Sequence, residues 1–332
     1  MGLNSDKVPL GKTSISIGKI GLGTVTFGRE ISEDKSYELM DYALEKGLTW
    51  FDTAEGYGGG QSKSVRKAAL GIDDQREITL EMSSSEKIIG RWLKKTGNYK
   101  TVTICTKVST GGHPDNIPRA IMGSLERLGV DCLDIYKLHS PTVDVPISET
   151  LHSLTQEIHQ GHLGVIGCSN FSFDQLQESL DVSRKNDYEK FAITQPAYNL
   201  VLRDCEDDFF DLCTRDGIAV TPHSPLGNGF LTGKYTTDKA NVPKGSRMDI
   251  APGHMNLYWN DKGFRTDQKL REKSKELGIP IPRLAMAWVM SNSQVTSVII
   301  GARETSHIDN AIEAHEMLLD QDLRDEMSSW IS

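Results

Sequence analysis

The chain has 332 residues, with 37 Lys and Arg against 46 Asp and Glu, a formal charge of −9. No stretch concentrates enough positive charge to follow a phosphate backbone, so nucleic acid and anionic membrane surfaces are excluded as expected partners. At 37% hydrophobic and 25% charged the composition is too apolar for a disordered chain. It is also too polar for a membrane protein, since no window approaches the ~18 apolar residues that a spanning helix needs.

The opening Met1-Gly2-Leu3-Asn4-Ser5-Asp6 lacks the basic and apolar regions of a signal peptide, and Asp6 stands where a myristoylation motif wants Ser or Thr. A cytoplasmic location is expected. Next, Val8-Pro9-Leu10-Gly11 and the period-two alternation of Ser14-Ile15-Ser16-Ile17 predict an N-terminal β-hairpin. A first strand follows at residues 19–23. Ser36 to Lys46 places Tyr37, Met40, Ala43 and Leu44 at helical spacing, with Gly47 in the place of a C-terminal helix glycine.

Strand-like runs then recur at residues 48–52, 102–107, 132–139, 164–168, 191–195, 218–222 and 295–300, with helical stretches between them. No composition break or linker divides the chain. Eight strands alternating with helices predict a single (β/α)8 TIM barrel over residues 1–332, in preference to a doubly wound sheet with a second domain. Two long loops interrupt the alternation. One follows Tyr57, with an inserted stretch at about 62–85 that contains a short helix over Ser64–Leu70 and an alternating run over Glu77–Met82. The other covers about 223–264. Loops of this length in a compact domain are usually lids or binding loops.

In such a barrel the chemistry sits where strands end at the C-terminal face. Those ends read Asp52, Lys107, His139, Ser169-Asn170, Gln195 and His223-Ser224. A barrel built only for stability has no reason to point a carboxylate, an amine and an imidazole at one mouth. The five cysteines (Cys105, Cys132, Cys168, Cys205, Cys213) never form a CxxC pair and sit mostly in apolar runs, so buried reduced thiols are expected, with no metal.

The run Phe51-Asp52-Thr53-Ala54-Glu55-Gly56-Tyr57-Gly58 resembles the second-strand signature of the aldo-keto reductases. The resemblance continues through Gly21-Leu22-Gly23-Thr24, Thr106-Lys107, Asp134 to His139, Gly167-Cys168-Ser169-Asn170-Phe171 and Gln195 to Leu200. It ends with Ser224-Pro225-Leu226, Leu231-Thr232-Gly233-Lys234-Tyr235 and Ile300-Gly301-Ala302-Arg303. It covers essentially the whole chain, and it is closest to the longer, microbial and potassium-channel-β-like type.

The resemblance implies a carbonyl reductase in which Tyr57 gives a proton, Lys107 and Asp52 tune it, and His139 orients the substrate oxygen. The chemistry agrees. Hydride transfer to a carbonyl leaves an oxyanion that needs a proton, and a free phenol with a pKa of about 10 holds its proton too tightly. A neighbouring ammonium lowers that pKa, and a buried carboxylate keeps the ammonium in place. The same resemblance implies a nicotinamide cofactor, with Ser169, Asn170 and Gln195 at the carboxamide. Gly23, Thr24 and Asp52 line its site as well.

No GxGxxG follows the first strand, so barrel loops must hold the nucleotide. Glycine-rich Ser224-Pro225-Leu226 through Gly229, Gly233 and Lys234 is the expected pyrophosphate cover. Gly301 and Arg303 follow the eighth strand, where a guanidinium can pair with a 2′-phosphate, which favours NADP(H) over NAD(H). Three departures from the family pattern stand out: His223 where an aromatic usually precedes Ser-Pro-Leu, His307 to Asn310 in place of the usual adenine-contacting pattern, and the insertion after Tyr57. The expected ligand is a small carbonyl or alcohol, including a sugar-type carbonyl. The insertion is read as a lid or as a subunit contact in a homo-oligomer. A channel-β-type regulatory subunit with little turnover is the alternative reading, and a Schiff-base lyase with Lys107 as nucleophile is a third.

Overall fold

The computed structural model describes residues 7–59 and 78–331. Two short strands, β1 (Val8–Pro9) and β2 (Ser16–Ile17), pair antiparallel as the expected hairpin. Eight more form one parallel sheet: β3 (Ile20–Gly23), β4 (Trp50–Asp52), β5 (Thr103–Val108), β6 (Leu133–Leu138), β7 (Leu163–Ser169), β8 (Ile193–Gln195), β9 (Ala219–Val220) and β10 (Val298–Gly301). Neighbours in sequence are neighbours in the sheet, and β10 returns to pair with β3 in the register Val298↔Ile20. The seam between β9 and β10 is bridged by Thr296 N–H donating to Val220 O at 2.9 Å and Ile299 N–H donating to Pro222 O at 3.1 Å. The fold is a (β/α)8 barrel.

The connections run through helices that cover the outer face of the sheet. Glu33–Glu45, Ser84–Thr96, Ile117–Leu128, Ile147–His159, Phe173–Asn186 and Asp208–Asp216 take the first six crossovers. Asp261–Leu277 and Ile281–Met290 precede β10, and Thr305–Met317 follows it. Local chemistry sets the ends. The first helix starts three residues before Ser36 because Ser32 caps it, accepting from Lys35 N–H at 3.3 Å. It stops at Gly47, whose φ of +87° lets Gly47 and Leu48 donate to the carbonyls of Leu44 and Ala43.

Two apolar layers result, one between sheet and helices and one inside the barrel. The inner layer gathers Trp50, Cys105, Ile135, Val165, Ile193 and Ile299, together with Leu10 and Ile17 of the hairpin. The hairpin therefore plugs the N-terminal end of the barrel, and the opposite end is left for the site. Four of the five cysteines are buried, and Cys132 is exposed.

The long loops differ from their expected form. The alternation over residues 78–82 makes no strand; instead Ile78 and Thr79 donate to Arg29 O and Gly28 O at 3.2 and 2.9 Å. The expected helix over Ser64–Leu70 lies outside the described residues. The second loop contains turns of 3-10 helix at Gly227–Thr232 and Lys239–Asn241 and short helices at Arg247–Ile250 and Met255–Tyr258. No helix among the described residues is long and apolar enough to cross a membrane.

Trp50 fills the barrel floor only because β3 carries a glycine beside it. A Cβ on Gly21 would lie 2.3 Å from the indole ring, which is also held by its N–H to Ser297 Oγ at 3.2 Å. Gly21→Ala should therefore cost about 1–3 kcal/mol of stability through overpacking, read as a lower midpoint in chemical denaturation. An unchanged midpoint would mean that the floor has room to spare.

Candidate active site

At the C-terminal mouth one buried carboxylate organises the polar groups. Asp52 ends β4, and its Oδ2 accepts from Lys107 Nζ at 2.6 Å and from Gln195 Nε2 at 3.2 Å. Its Oδ1 faces Lys137 Nζ at 3.4 Å, and Lys137 also donates to Gln195 Oε1 at 3.0 Å. Asp52, Lys107 and Lys137 are all essentially inaccessible to solvent. Burial pushes the Asp52 carboxyl up, but the two ammoniums outweigh it and hold it at about 2. Burial likewise opposes the Lys107 charge, and Asp52 more than restores it, so Lys107 stays protonated well above the usual lysine range.

Lys107 carries this charge to Tyr57. Its Nζ also donates to Thr53 O at 2.7 Å, and it lies 3.5 Å from the Tyr57 hydroxyl and 4.7 Å from the ring centre. Burial raises the Tyr57 phenol above the usual tyrosine value, and Lys107 pulls against that without reversing it. The expectation that Lys107 would bring this pKa down is corrected to that extent. Asp52 absorbs part of the ammonium's field, and it also raises the phenol directly. The result is a protonated phenol beside a fixed cation.

His139 packs edge-on against Tyr57, with ring centres 5.4 Å apart, and its Nδ1 lies 2.8 Å from Ser109 Oγ. Ser109 Oγ already accepts from Gly56 N–H at 3.1 Å. The arrangement that gives the serine proton an acceptor therefore has Ser109 donating to Nδ1, which leaves the ring proton on Nε2. Burial first, and Lys107 second, hold His139 down at about 3, so the ring is neutral at working pH.

Asp52, Tyr57 and His139 open into a cavity of about 980 Å³ that runs across the mouth. This is at the upper end for small-molecule sites. One end presents Ser169, Asn170 and Gln195; the other presents Lys234, Arg303, Ser306, His307 and Asn310. Amides at one end and cations at the other suit a long ligand that carries an amide and phosphates.

Across residues 19–331 the sequence matches the profile of the aldo/keto reductase family. The chain belongs to that family. It is 29% identical over 323 residues to a protein named probable voltage-gated potassium channel subunit beta from Oryza sativa subsp. japonica, covering 93% of this chain and 90% of the relative. A protein of the same name from Arabidopsis thaliana matches at the same identity and coverage. The Bacillus subtilis (strain 168) protein named uncharacterized oxidoreductase YrpG is 28% identical over 328 residues, covering 95% of this chain and 92% of its own.

Against the family pattern, most of the residues expected at the nucleotide line the cavity: Gly23, the amide-end residues, His223 to Leu226, Gly229, Lys234, Gly301, Arg303, His307 and Asn310. Thr24 and Gly233 do not. Thr24 is buried and donates to Asp52 O at 3.1 Å, supporting the site from behind. Gly233 has φ +78° at the end of a 3-10 turn, where its carbonyl accepts from Arg271. Lys107 likewise lies beneath the cavity and reaches it through Tyr57.

The amide end is already ordered by internal bonds that use only part of its capacity. Ser169 donates to Gln195 O at 2.8 Å, and Asn170 donates to His139 O at 2.9 Å while its Oδ1 faces His223 Nε2 at 3.2 Å. Each amide keeps a further lone pair or proton for a ligand. His223 Nδ1 lies 2.9 Å from Ser224 Oγ, so both ring nitrogens are engaged and the ring plane is fixed. Burial and Lys107 hold this imidazole neutral, at about 4. At the far end Arg303 donates to Gly245 O at 2.8 Å, tying the eighth-strand loop to the long loop. Burial, then Arg303, lowers the Lys234 ammonium, as expected where cations are gathered to meet an anion.

Three features were missed in the sequence. Lys137 had a signal, a lysine in an apolar strand two residues before His139 and so on the same face. Ser109 had none, because its bond to His139 is a tertiary contact. Arg29 and Arg247 also line the cavity, where both reach Glu30, at 2.6 and 3.1 Å.

The buried neutral histidines make stability depend on pH. Their folded pKa values lie below the ordinary histidine value, so the unfolded chain binds more protons, and stability is lost as pH falls from about 6.5 toward 4 and 3. The Asp52 contribution is lost only below about 4. Thermal unfolding without cofactor should show Tm falling across the histidine window, with a shallower fall in a His139→Gln/His223→Gln double variant. Equal slopes would contradict the assignment.

Proposed function

We propose that the protein is an NADP(H)-dependent reductase of aldehydes or ketones, sugar-type carbonyls included, in which Tyr57 is the general acid. The observation that carries this reading is Lys107, which bridges Asp52 at 2.6 Å and the Tyr57 hydroxyl at 3.5 Å at the mouth of the cavity. A bound reduced nicotinamide supplies the hydride. Ser169, Asn170 and Gln195 would hold its carboxamide, the His223 ring would lie against it, and residues 224–234 would cover the pyrophosphate. Arg303, with Lys234 close by, would take the 2′-phosphate, and His307 and Asn310 would border the adenosine.

The chain's own work is proton management. The neutral His139 offers Nε2–H to the carbonyl oxygen and fixes its position against the phenol. As negative charge develops on that oxygen, Tyr57 gives up its proton, and the Lys107 ammonium stabilises the phenolate left behind. The mouth also suits a small substrate. Residues 78–79 of the stretch after Tyr57 are bonded to the Gly28-Arg29 backbone, and residues 60–77 lie outside the described residues. We place this activity in a single-barrel cytoplasmic enzyme.

A regulatory role of the channel-β kind is the second reading, favoured by the names of the Oryza and Arabidopsis relatives. The two readings separate on turnover. Oxidation of NADPH with a panel of aldehydes, ketones and keto-sugars is expected for the reductase. Its absence over the whole panel, with NADPH still bound, would favour the regulatory reading.

Tyr57→Phe should remove most carbonyl reduction, on the order of 10²-fold or more, while NADPH affinity stays near that of the unaltered protein. Comparable turnover in the variant would overturn the assignment of Tyr57. Arg303→Ala should weaken NADPH binding more than NADH binding, by about 1.5–3 kcal/mol, measured by fluorescence titration of each cofactor. Equal losses would mean that the guanidinium does not read the 2′-phosphate.

A further inference from the structure

Lys137 has no part in the mechanism above, yet its position is costly. It sits in β6 with its side chain wholly buried, next to the apolar layer that holds Trp50, Ile135 and Ile193, with Nζ 5.7 Å from the centre of the Trp50 ring. A leucine or methionine would fill that space without desolvating a charge, and such replacements of buried ion pairs are often neutral or stabilising. The register makes the cost sharper. Lys137 pairs directly with Lys107 on β5, so two ammoniums face each other across neighbouring strands. Like charges in that relation repel unless something stands between them. Asp52 does, with Oδ2 on Lys107 at 2.6 Å and Oδ1 on Lys137 at 3.4 Å.

The surroundings are shaped for this side chain. Lys137 pairs on its other side with Gly167 of β7, where an added Cβ would lie 3.2 Å from Lys137 Cγ and 2.4 Å from Ile193 O. Gln195 turns its Oε1 to Lys137 at 3.0 Å and its Nε2 to Asp52 at 3.2 Å, closing a ring of three partners.

Charge counting shows what the second ammonium does. One carboxylate and two ammoniums sum to one positive charge buried beside the Tyr57 phenol. When the phenol loses its proton, the buried group becomes neutral. Without Lys137 the same step would turn a neutral group into a buried negative charge, which a low-dielectric interior penalises.

We propose that Lys137 is a positioning residue for the proton-donating phenol: it occupies the second oxygen of Asp52, leaves more of the Lys107 charge facing Tyr57, and balances the phenolate that forms. The step itself is balanced: the proton passes from Tyr57 Oη to the substrate oxygen, the hydride comes from the reduced cofactor, and solvent later returns the proton to Tyr57. This use of Lys137 rests on the reductase reading.

The other titratable groups near Lys137 do not change charge in the working range. Burial pushes the Cys105 and Cys168 thiols up to about 12, and it holds His139 and His223 neutral. That leaves Asp52, Lys107, Lys137 and Tyr57, with the Arg29 guanidinium as a further, smaller pull on the phenol.

The test replaces Lys137 by Met, which removes both charge and hydrogen bond, and by Gln, which keeps a donor for Gln195. A fluorinated tyrosine incorporated at position 57 is a more acidic phenol, so its titration falls where the protein remains folded. 19F NMR then reads it in the cofactor-free chain. Both variants should move the titration midpoint upward by about one pH unit, and both should lower kcat for carbonyl reduction about tenfold with KM little changed. A midpoint that stays put in both variants overturns the proposal even if kcat falls. So does a midpoint restored by Lys137→Gln alone, which would make Lys137 a hydrogen-bonding strut. A shifted midpoint in a protein that reduces no carbonyl would sustain the coupling and sink the reductase reading instead.

Discussion

The structure turns on one carboxylate kept charged where water cannot reach it. Asp52 is buried at the end of β4, and an isolated carboxylate there would neutralise itself by taking a proton. It stays ionised because Lys107, Lys137 and Gln195 converge on its two oxygens from β5, β6 and β8. No single element could supply these partners. Only a closed barrel, in which strands far apart in sequence point their ends at one axis, brings them within hydrogen-bond distance.

The same convergence gives each group around the carboxylate a defined state. Lys107 is charged and spans from Asp52 to Tyr57, and Tyr57 is protonated. His139 is neutral and is oriented by Ser109, whose hydroxyl is held in turn by the backbone of Gly56. The dipoles and charges of the site are thus held in place by the chain's own hydrogen bonds. Above it, the long loop after β9 is tied to neighbouring connections by Arg247 to Glu30 at 3.1 Å and by Arg303 to the Gly245 carbonyl at 2.8 Å. These ties run from the long loop to the first and eighth strand connections, so the two sides of the cavity share one framework.

Much of this was legible in the sequence, and for physical reasons. Parallel barrel strands are buried on both faces and read as apolar runs, so the eight strands stood out, and a charged residue closing such a run marked the mouth. That is why Asp52, Lys107 and His139 could be found before any contact was seen. Gly47 was legible because a left-handed helix terminus favours glycine. What escaped depended on distance in space. Ser109 acts through a contact with His139, thirty residues away in sequence. Lys137 carried the right signal, but its partner Asp52 is 85 residues distant. The direction of the Tyr57 shift was misjudged because a sequence does not show how deeply the phenol is buried, and burial outweighs the pull of Lys107. The alternation after residue 77 failed as a strand signal because Ile78 and Thr79 bond singly to the Gly28-Arg29 backbone, with no strand beside them among the described residues.

The central claim is that the negative charge of Asp52, and not merely its shape, keeps Lys107 protonated and in place beside Tyr57. Asp52→Asn tests it most directly, since the amide keeps the size and much of the hydrogen bonding while removing the charge. Single-turnover reduction of an aldehyde should be measured with preloaded NADPH, in protein whose near-ultraviolet circular dichroism matches that of the unaltered chain. The rate should fall by about 10²–10⁴-fold, the range that general acid–base catalysis supplies. A rate close to that of the unaltered protein would show that the Asp52 charge is not needed to hold the Lys107 ammonium beside the phenol, and would contradict the account.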